Sequence, residues 1–339
     1  MKKEAIDIWF DFSNPPHVNL FLPFINHFNE KKKIVCTARD FAETIKLLDK
    51  YGIKFLLLGK HAGKNRISKV YTLLLRNISL FSQVPDFKLC ISSSFESQQI
   101  AWLKRKVSIM FDDNEIAPNW LYSKFATFVF VPAIIDKNLW KKQGIIEKKI
   151  FQYPGLKEDI YIADYSPDPN FLNEIPFTEF VTVRPENILA SYVPDNVRSI
   201  VPGLIRALIS RGINVLYLPR YEIDYTYVDK HDKIFIPKRP LNGLDVCYYS
   251  SAVLTGAGTF AREAALIGTP AVSFFAGKDL LSVDKHLIKE QKMYYSRSSS
   301  DILSFLSQTK KRPFNNMKSL NIKKFVIDKI ESILVQYGN

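Results

Sequence analysis

Apolar runs of β type alternate with segments of helical periodicity along most of the chain. Strands that are apolar on both faces and separated by helices are typical of a parallel, doubly wound α/β sheet. In the first half of the chain the predicted strands are residues 5–10, 34–37, 55–58, 88–91, 107–110 and 128–131, and the predicted helices include residues 18–29, 40–52 and 66–81. The second of these helices begins with a capping-box-like Asp40-Phe-Ala-Glu43.

The pattern is interrupted between residues 153 and 176, where several prolines and acids leave little periodicity. A second series then follows, with predicted strands at 180–183, 214–218, 252–255 and 271–275 and predicted helices at 197–211, 259–267 and 319–335. We therefore predict an N-terminal Rossmann-like domain (1–155), a linker (156–176), a C-terminal Rossmann-like domain (177–318) and a final helix (319–339). Open α/β sheets bind ligands at the carboxyl ends of their strands, so we expect functional loops facing a central cleft.

Composition and charge narrow the class of protein. The 339 residues are 47% apolar, without an uninterrupted run of the roughly 18 that a membrane span requires. We find no signal peptide, and three dispersed cysteines in apolar surroundings favour a reducing cytoplasm. The net charge of +13 indicates an anionic partner, whether a phosphorylated substrate, nucleic acid or a lipid surface.

The most polarised stretch lies between Asp49 and Asp86, which contains no acidic residue and seven basic ones from Lys50 to Arg76. Helix 66–81 within it carries an apolar stripe, Ile67, Val70, Leu74, Ile78 and Phe81, which faces the core by default. Its basic flank suggests that the protein also lies peripherally on an anionic membrane on the cytoplasmic side.

The segment Leu254-Thr-Gly-Ala-Gly-Thr-Phe-Ala-Arg-Glu263 predicts a strand-to-helix turn that binds the phosphates and ribose of a nucleotide or nucleotide sugar. Glycines let the backbone approach a ligand, and the helix beginning at Thr259 directs free N–H groups at an anion. The proposed donor contacts are Gly256, Ala257, Gly258, Thr259 and, through ribose hydroxyls, Glu263. The alternative is a plain glycine-rich turn with a solvated glutamate.

Two loops that follow strands contain candidate acid–base groups. Loop 11–17 places Asn14 and two prolines before His17, a candidate general base whose alternative role is to cap the helix or satisfy the core. After the fifth strand come Asp112, Asp113 and Glu115, which suit acid–base work, contacts to sugar hydroxyls or helix capping. Because Asn114 breaks the D-x-D spacing, a metal site is not expected.

Other cations also follow predicted strands. Lys60 and His61 lie in a loop flanked by glycines, which suits either anion contact or an exposed loop. Arg184 and Arg220 suit either donor phosphates or surface salt bridges. A P-loop, a G-x-S-x-G elbow, a zinc motif and a G-x-G-x-x-G after the first strand are all absent, so no cofactor is expected beyond a nucleotide-sugar substrate.

Several segments together resemble an uncharacterised prokaryotic, largely archaeal family of the GT-B superfamily. They are residues 14–18, 37–41, 59–63, 183–186 and 256–270. That superfamily includes UDP-N-acetylglucosamine 2-epimerase and the lipid-linked N-acetylglucosaminyltransferase of peptidoglycan synthesis. The resemblance implies two Rossmann-like domains, a nucleotide-sugar donor in the C-terminal one, and a final helix that crosses back to the first. Gly256, Gly258 and Glu263 match the superfamily's diphosphate and ribose contacts.

The chain departs from the epimerase pattern at its acid–base positions. The acidic loop residue is replaced within 92–96, the H-V-E-A-G-type segment within 111–115, and the histidine of the His-Arg pair by Val183. We therefore predict a metal-independent glycosyltransferase that uses a UDP-sugar and a lipid-linked or glycan acceptor. The alternatives are an epimerase and a non-catalytic protein that binds nucleotide sugars or nucleic acid. The chain lacks an aromatic-basic nucleic-acid module, which argues against the last partner.

Overall fold

Two units make up the chain, as the computed structural model divides it: residues 1–161 with 319–339, and residues 162–318. The structure describes residues 6–60, 66–117, 119–188, 193–194 and 196–337, with the backbone alone at 66–69, 121 and 123. The boundary between the units falls at Tyr161, inside the segment expected as a linker. That segment contains a helix, Lys157–Ile162, and a short 3-10 turn, Phe171–Glu174.

The first unit contains a seven-stranded parallel sheet. Its strands are β1 (Ile6–Phe12), β2 (Ile34–Asp40), β3 (Leu56–Lys60), β4 (Phe87–Ser92), β5 (Val107–Phe111), β6 (Phe128–Pro132) and β7 (Ile150–Tyr153), in the order β3-β2-β1-β4-β5-β6-β7. The direction in which successive strands are added to the sheet reverses beside β1. The loops after β1 and β4 therefore leave the same edge of the sheet in different directions. In α/β sheets such a point is where ligands bind.

Helices connect these strands. They are α1 (Pro15–Phe28), α2 (Thr44–Lys50), α3 (Arg66–Gln83), α4 (Phe95–Leu103), α5 (Trp120–Ser123), α6 (Lys137–Lys142) and α7 (Lys157–Ile162). The capping box expected at residues 40–43 does not form, because α2 begins at Thr44 and the side chain of Glu43 makes no capping hydrogen bond. Instead the Thr44 hydroxyl donates to the carbonyl of Phe41 at 2.7 Å.

The two faces of this sheet are covered by different helices. Phe10 and Phe12 of β1 pack with Phe21 of α1 and with the C-terminal helix of the chain, Met317–Tyr337, through residues such as Val326. On the opposite face, Trp9 packs against Leu80 and Val84 at the end of α3. The alternation along β1 explains this division, since successive side chains of a strand point to opposite faces.

The second unit contains a six-stranded parallel sheet in the order β10-β9-β8-β11-β12-β13. Its strands are β8 (Val181–Arg184), β9 (Val215–Tyr217), β10 (Ile234–Phe235), β11 (Ala252–Thr255), β12 (Ala271–Ser273) and β13 (Met293–Tyr295). Its helices are α8 (Val201–Ser210), α9 (Gly243–Tyr249), α10 (Gly258–Ile267), α11 (Ser282–Lys289) and α12 (Ser299–Gln308), and the C-terminal helix of the first unit is α13. Two parallel-sheet α/β units confirm the predicted fold class.

The prediction for the apolar stripe of α3 was wrong. Val70, Leu74, Ile78 and Phe81 are exposed, whereas Arg76 on the other side of the helix is buried. The side chain of Ile67, the fifth residue of the stripe, lies outside the described residues. Helical spacing identifies residues that share a face, but it does not say which face packs inward. Within the described residues, no helix has both the length and the apolar character needed to cross a membrane.

Candidate functional site

A cavity of about 410 Å³ lies in the first unit, at the carboxyl ends of β1, β4 and β5. The polar residues in its lining include Asn14, His17, Asp112, Asp113, Tyr122 and Lys157. Asn14 and His17 lie at and just after the N-cap of α1, which follows β1, and Asp112 and Asp113 lie in the loop after β5. The structure therefore brings together four of the predicted site residues, Asn14, His17, Asp112 and Asp113.

His17 lies in the first turn of α1, where Pro15 and Pro16 occupy positions whose N–H groups would have no helical partner. Its Nδ1 lies 3.3 Å from the hydroxyl of Ser13. Burial, with a smaller contribution from the charge of Lys157, lowers the pKa of His17 to about 3. The imidazole is therefore neutral at physiological pH and serves as a hydrogen-bonding group.

Asp112 directly follows β5. One carboxylate oxygen accepts a hydrogen bond from the Tyr122 hydroxyl, and the other accepts the backbone N–H of Asn114 at 2.9 Å. Burial raises the pKa of Asp112 to about 7, and these two hydrogen bonds oppose the shift only in part. A carboxyl group with this pKa gains and loses a proton near neutral pH, as a general acid or base requires.

Asp113 differs from its neighbour because it has a cationic partner. Its Oδ1 lies 2.9 Å from Nζ of Lys157, and both side chains are largely buried. Lys157 begins α7, in the segment expected as a linker, so sequence reasoning missed it. The one feature of the sequence that could have indicated Lys157 as a site residue is the charge cluster Lys157-Glu-Asp159 in a proline-containing segment.

Glu115 is not part of the cavity lining. Its backbone carbonyl accepts a hydrogen bond from the side chain of Gln143. The intervening Asn114 folds the loop back on itself, since its Oδ1 accepts the N–H groups of Ile116 and Ala117 at 3.2 and 3.1 Å. The prediction that Glu115 shares the acid–base site is thus not supported by its position.

A buried ion network lies below the loop after β1. Asp11 accepts hydrogen bonds from Arg76 at 2.8 Å and from Thr37 at 2.6 Å, while Arg76 also pairs with Glu96 at 3.1 Å. Burial alone would lower the pKa of Arg76, but the charges of Asp11 and Glu96 outweigh it and the pKa is raised. Arg76 therefore cannot contribute to a basic surface, which corrects its place in the predicted membrane-binding segment.

Arg39 extends this network toward the cavity. Its guanidinium donates to the carbonyl of Ser13 at 3.1 Å and to Oδ1 of Asn14 at 3.5 Å. These bonds hold the loop that carries His17. Lys60, at the end of β3, is exposed, and His61 lies outside the described residues.

The turn between β11 and α10 is the predicted donor site in the second unit. A Cβ at Gly256 would lie 2.2 Å from the Cβ of Glu186, so this glycine is required by the close approach of the loop after β8. The sequence suggested a different reason, approach to a ligand. Ala257 is the N-cap of α10, and its N–H donates to the Thr255 hydroxyl at 2.9 Å.

Helix α10 begins at Gly258 and carries Thr259 in its first turn and Glu263 one turn later. Glu263 is only 7% exposed, which contradicts the alternative of a solvated carboxylate. Arg262, which sequence reasoning did not single out, pairs with Asp284 at 3.1 Å and donates to the Thr259 hydroxyl at 3.3 Å. This pair fixes the first turn of α10 to α11.

The two predicted arginines lie at the carboxyl ends of neighbouring strands, where Arg184 is the last residue of β8. The Arg184 guanidinium lies 5.6 Å from the ring centroid of Phe260, in the first turn of α10. Arg220 follows β9, where its backbone N–H donates to Asp224 at 2.7 Å. Its buried Nε has no hydrogen-bond partner within the described residues.

Glu186 also organises this region. It is buried and accepts hydrogen bonds from the Ser199 hydroxyl at 2.9 Å, the backbone N–H of Ile200 at 3.1 Å and Arg297 at 3.2 Å. The carboxylate thereby anchors the loop against which Gly256 packs. Among the described residues, no group of three or more His, Cys, Asp or Glu side chains is placed to hold a metal ion.

Comparison with solved structures supports the GT-B fold. The UDP-GlcNAc 2-epimerase from Neisseria meningitidis bound to UDP-GlcNAc superposes with a TM-score of 0.73 at 11% identity, covering 96% of this chain and 100% of that one. A glycotransferase of kitacinnamycin superposes with a TM-score of 0.58 at 9% identity, covering 98% and 100%. At these identities the likeness shows the fold alone.

Comparison with sequences shows the family. The uncharacterized protein MJ0665 of Methanocaldococcus jannaschii is 27% identical over 317 residues, which cover 89% of this chain and 91% of that protein. A family model described as "Protein of unknown function (DUF354)" matches residues 6–333. The resemblance expected from the sequence is confirmed, and the chain belongs to the DUF354 family.

Proposed function

We propose that this protein is a glycosyltransferase that binds a nucleotide sugar in its second unit and activates an acceptor hydroxyl in the cavity of its first. The observation that carries the proposal is Asp112, a cavity carboxyl group whose pKa is raised to about 7. A base of that strength is matched to deprotonating a hydroxyl during transfer near neutral pH.

In the proposed reaction the acceptor oxygen attacks the anomeric carbon of the donor sugar. A new carbon–oxygen bond forms as the bond between that carbon and the nucleotide diphosphate breaks. The acceptor proton passes to the carboxylate of Asp112, and the diphosphate leaves with the electron pair. A single displacement of this kind inverts the anomeric centre.

His17 has a different role in this proposal from the one expected. With a pKa of about 3 it is a weak base at neutral pH, and a neutral imidazole positions a hydroxyl by hydrogen bonding. Asp112 retains lone pairs on both oxygens beyond those used by Tyr122 and Asn114, so it can still accept the proton.

Donor binding is assigned to the beginning of α10. Free N–H groups and the helix dipole favour diphosphate there, and the buried Glu263 is suited to accept hydrogen bonds from ribose hydroxyls. Arg220 supports the assignment through its buried Nε, which suits an anionic oxygen. A UDP-sugar is the first donor to test, since solved proteins of this fold bind UDP-GlcNAc.

A second candidate is epimerisation of the donor at the carbon next to the anomeric centre. The adjacent carboxyl groups Asp112 and Asp113 favour it, because elimination of the nucleotide diphosphate requires a base that removes a carbon-bound proton. Against it stands Val183, buried in β8 where the epimerase pattern has a histidine. Incubation with UDP-GlcNAc in D₂O separates the two, because only epimerisation introduces deuterium at C2 of the sugar.

The first test is a thermal-shift screen with UDP, GDP, CDP and dTDP sugars. A ligand at 100 times its Kd stabilises the native state by about 2.7 kcal/mol, so the correct donor raises the melting temperature by several degrees. We expect Glu263→Gln to reduce this shift and the exposed Glu222→Gln to preserve it. Stabilisation by no nucleotide sugar, or an equal shift in both variants, would contradict the donor assignment.

The second test follows transfer itself. Release of nucleoside diphosphate is measured with the stabilising donor and a panel of glycan and lipid-linked hydroxyl acceptors. We expect turnover that depends on acceptor and is lost in Asp112→Asn, with no deuterium entering the donor. Deuterium at C2 would replace the transferase proposal with epimerisation.

A further inference from the structure

An exposed apolar surface lies on the first unit, away from the cavity lining. We call it the α3 face, and it consists of Val70, Tyr71, Leu74, Leu75, Ile78 and Phe81 of α3 with Leu103 of α4. Their exposure ranges from 45% for Leu75 to 64% for Ile78. The opposite side of α3 is buried through Arg76 and Leu80, whereas none of the residues that the structure describes buries this face.

The spacing of the α3 face is that of a helix-packing seam. Tyr71, Leu74, Ile78 and Phe81 are separated by three, four and three residues, which is the a/d repeat of interlocking helices. Helix α3 has 18 residues, long enough for two such heptads. An α-helix of another molecule is therefore the shape that this seam fits.

The area of the α3 face matches one side of a stable interface. Because large apolar side chains present on the order of 200 Å² when fully exposed, seven that are 45–64% exposed give roughly 700 Å², above the roughly 300–600 Å² of the largest patch on a typical monomer. A standard interface buries about 800 Å² on each partner.

The charge of the α3 face decides between a lipid surface and a second copy. Between residues 70 and 83 the only charged residue is Arg76, which is held by Asp11 and Glu96 in the interior. From Tyr71 to Phe81 the seam thus presents no cation to anionic headgroups, and the other basic residues of α3, Arg66 and Lys69, precede it in the sequence. Two identical neutral seams can meet without repulsion, as a symmetric interface requires. Lys104 borders the face only at the Phe81 end, where its Nζ lies 5.4 Å from the ring centroid.

We propose that the α3 face is the self-association surface of this protein, where α3 of one copy packs against α3 of a second copy. The contact is isologous, so each seam residue enters the interface twice. A single charged substitution in the seam therefore buries two charges of the same sign.

Sedimentation velocity on the full chain tests this inference. We expect the wild type to sediment as a dimer at about 10 µM, and Ile78→Glu and Leu74→Glu each to weaken dimerisation by at least about 100-fold. The control is Val335→Glu on α13, since Val335 is apolar and 77% exposed but lies outside the α3 face. Circular dichroism and the melting temperature confirm that each variant is folded.

Three outcomes would overturn the inference. One is a wild type that remains monomeric up to about 100 µM. Another is a wild-type dimer that both seam variants preserve. The third is a monomer that co-sediments with phosphatidylglycerol vesicles through the same residues, with Ile78→Glu abolishing that binding, which would assign the face to a lipid surface.

Discussion

Nζ of Lys157 lies 2.9 Å from Oδ1 of Asp113, in the wall of the cavity that Asp112 and His17 also line. The surroundings of the two consecutive carboxyl groups, Asp112 and Asp113, therefore differ. Asp113 is paired with a cation, whereas the hydrogen-bond donors to Asp112 among the described residues are neutral and Asp112 holds a proton up to a pH of about 7. This difference is the reason why we propose Asp112, and not Asp113, for proton transfer.

Replacing Asp112 by Asn should reduce kcat for sugar transfer by about 100-fold or more, because the amide cannot accept the proton. The wild-type rate should rise with pH through about 7, as the carboxylate forms, and then level off. The variant should lack this rise. A pH–rate profile of kcat measures both effects.

The matched control for Asp112→Asn is Glu115→Gln, which changes a carboxylate three residues away that does not line the cavity. It should retain the wild-type rate and the rise near pH 7. Equal losses in the two variants would mean that the whole loop, and not one carboxyl group, governs activity.

His17 and Asp112 should affect acid stability in opposite directions. Folding lowers the pKa of His17 from 6.5 to about 3, so between these values the unfolded chain binds the extra proton and stability falls as pH decreases. Folding raises the pKa of Asp112 from 3.8 to about 7, so in that window the folded chain holds the extra proton and stability rises as pH decreases.

Urea unfolding of His17→Gln and Asp112→Asn at pH 7 and pH 4.5 tests these signs. Relative to wild type, His17→Gln should lose less stability on acidification, by on the order of 2 kcal/mol, and Asp112→Asn should lose more by a similar amount. His231→Gln, at an exposed position, is the control. If acidification changed the stability of both cavity variants in the same direction relative to wild type, the opposite pKa shifts of His17 and Asp112 would be refuted.

Gly256→Ala should destabilise the protein by about 2–4 kcal/mol, because the new Cβ would lie 2.2 Å from the Cβ of Glu186. Gly203→Ala is the control. Its Cβ would lie 3.7 Å from the Ser299 hydroxyl oxygen, within ordinary contact, and alanine favours the helix by about 0.5–1 kcal/mol. Thermal unfolding followed by circular dichroism should therefore move in opposite directions for the two variants.

Arg76→Met should cost about 3–5 kcal/mol of unfolding free energy, because it removes the cation that pairs with the buried carboxylate of Asp11 and leaves Glu96 with only the more distant Arg39, at 3.9 Å. Lys324→Met removes the cation of an exposed pair with Asp328 on α13 and should cost less than about 1 kcal/mol. Chemical denaturation distinguishes these values easily. If Arg76→Met proved as mild as Lys324→Met, the network would be dispensable for folding.

The sequence predicted the architecture well where its signal is local. Buried strands such as β11 are apolar on both faces, and the turn into α10 is marked by glycines, so both were predicted within a residue or two. The meeting of the loops after β1 and β5 was also predicted, because the carboxyl ends of parallel strands lie at one edge of the sheet and only β4 separates these two strands.

The features that were not predicted depend on contacts between segments that are far apart in the sequence. Lys157 reaches Asp113 across 44 positions of sequence, and no local pattern encodes that pairing. The buried face of α3 was predicted wrongly because an arginine such as Arg76 is expected at the surface unless its buried partners, Asp11 and Glu96, are known. Gly256 was assigned to a ligand because the approach of Glu186 is likewise a tertiary fact.

The raised pKa of Asp112 also fixes the electrical balance of the cavity. Below pH 7 the proton on Asp112, the neutral His17 and the Asp113–Lys157 pair leave these four groups with no net charge. A cavity in which these four groups carry no net charge neither attracts nor repels a polyol. The cation among them, Lys157, is already paired with Asp113 and is therefore not available to a phosphate. This charge balance supports the proposal of an uncharged hydroxyl-bearing acceptor, and the ionised form of Asp112 is the base that would take up the acceptor's proton.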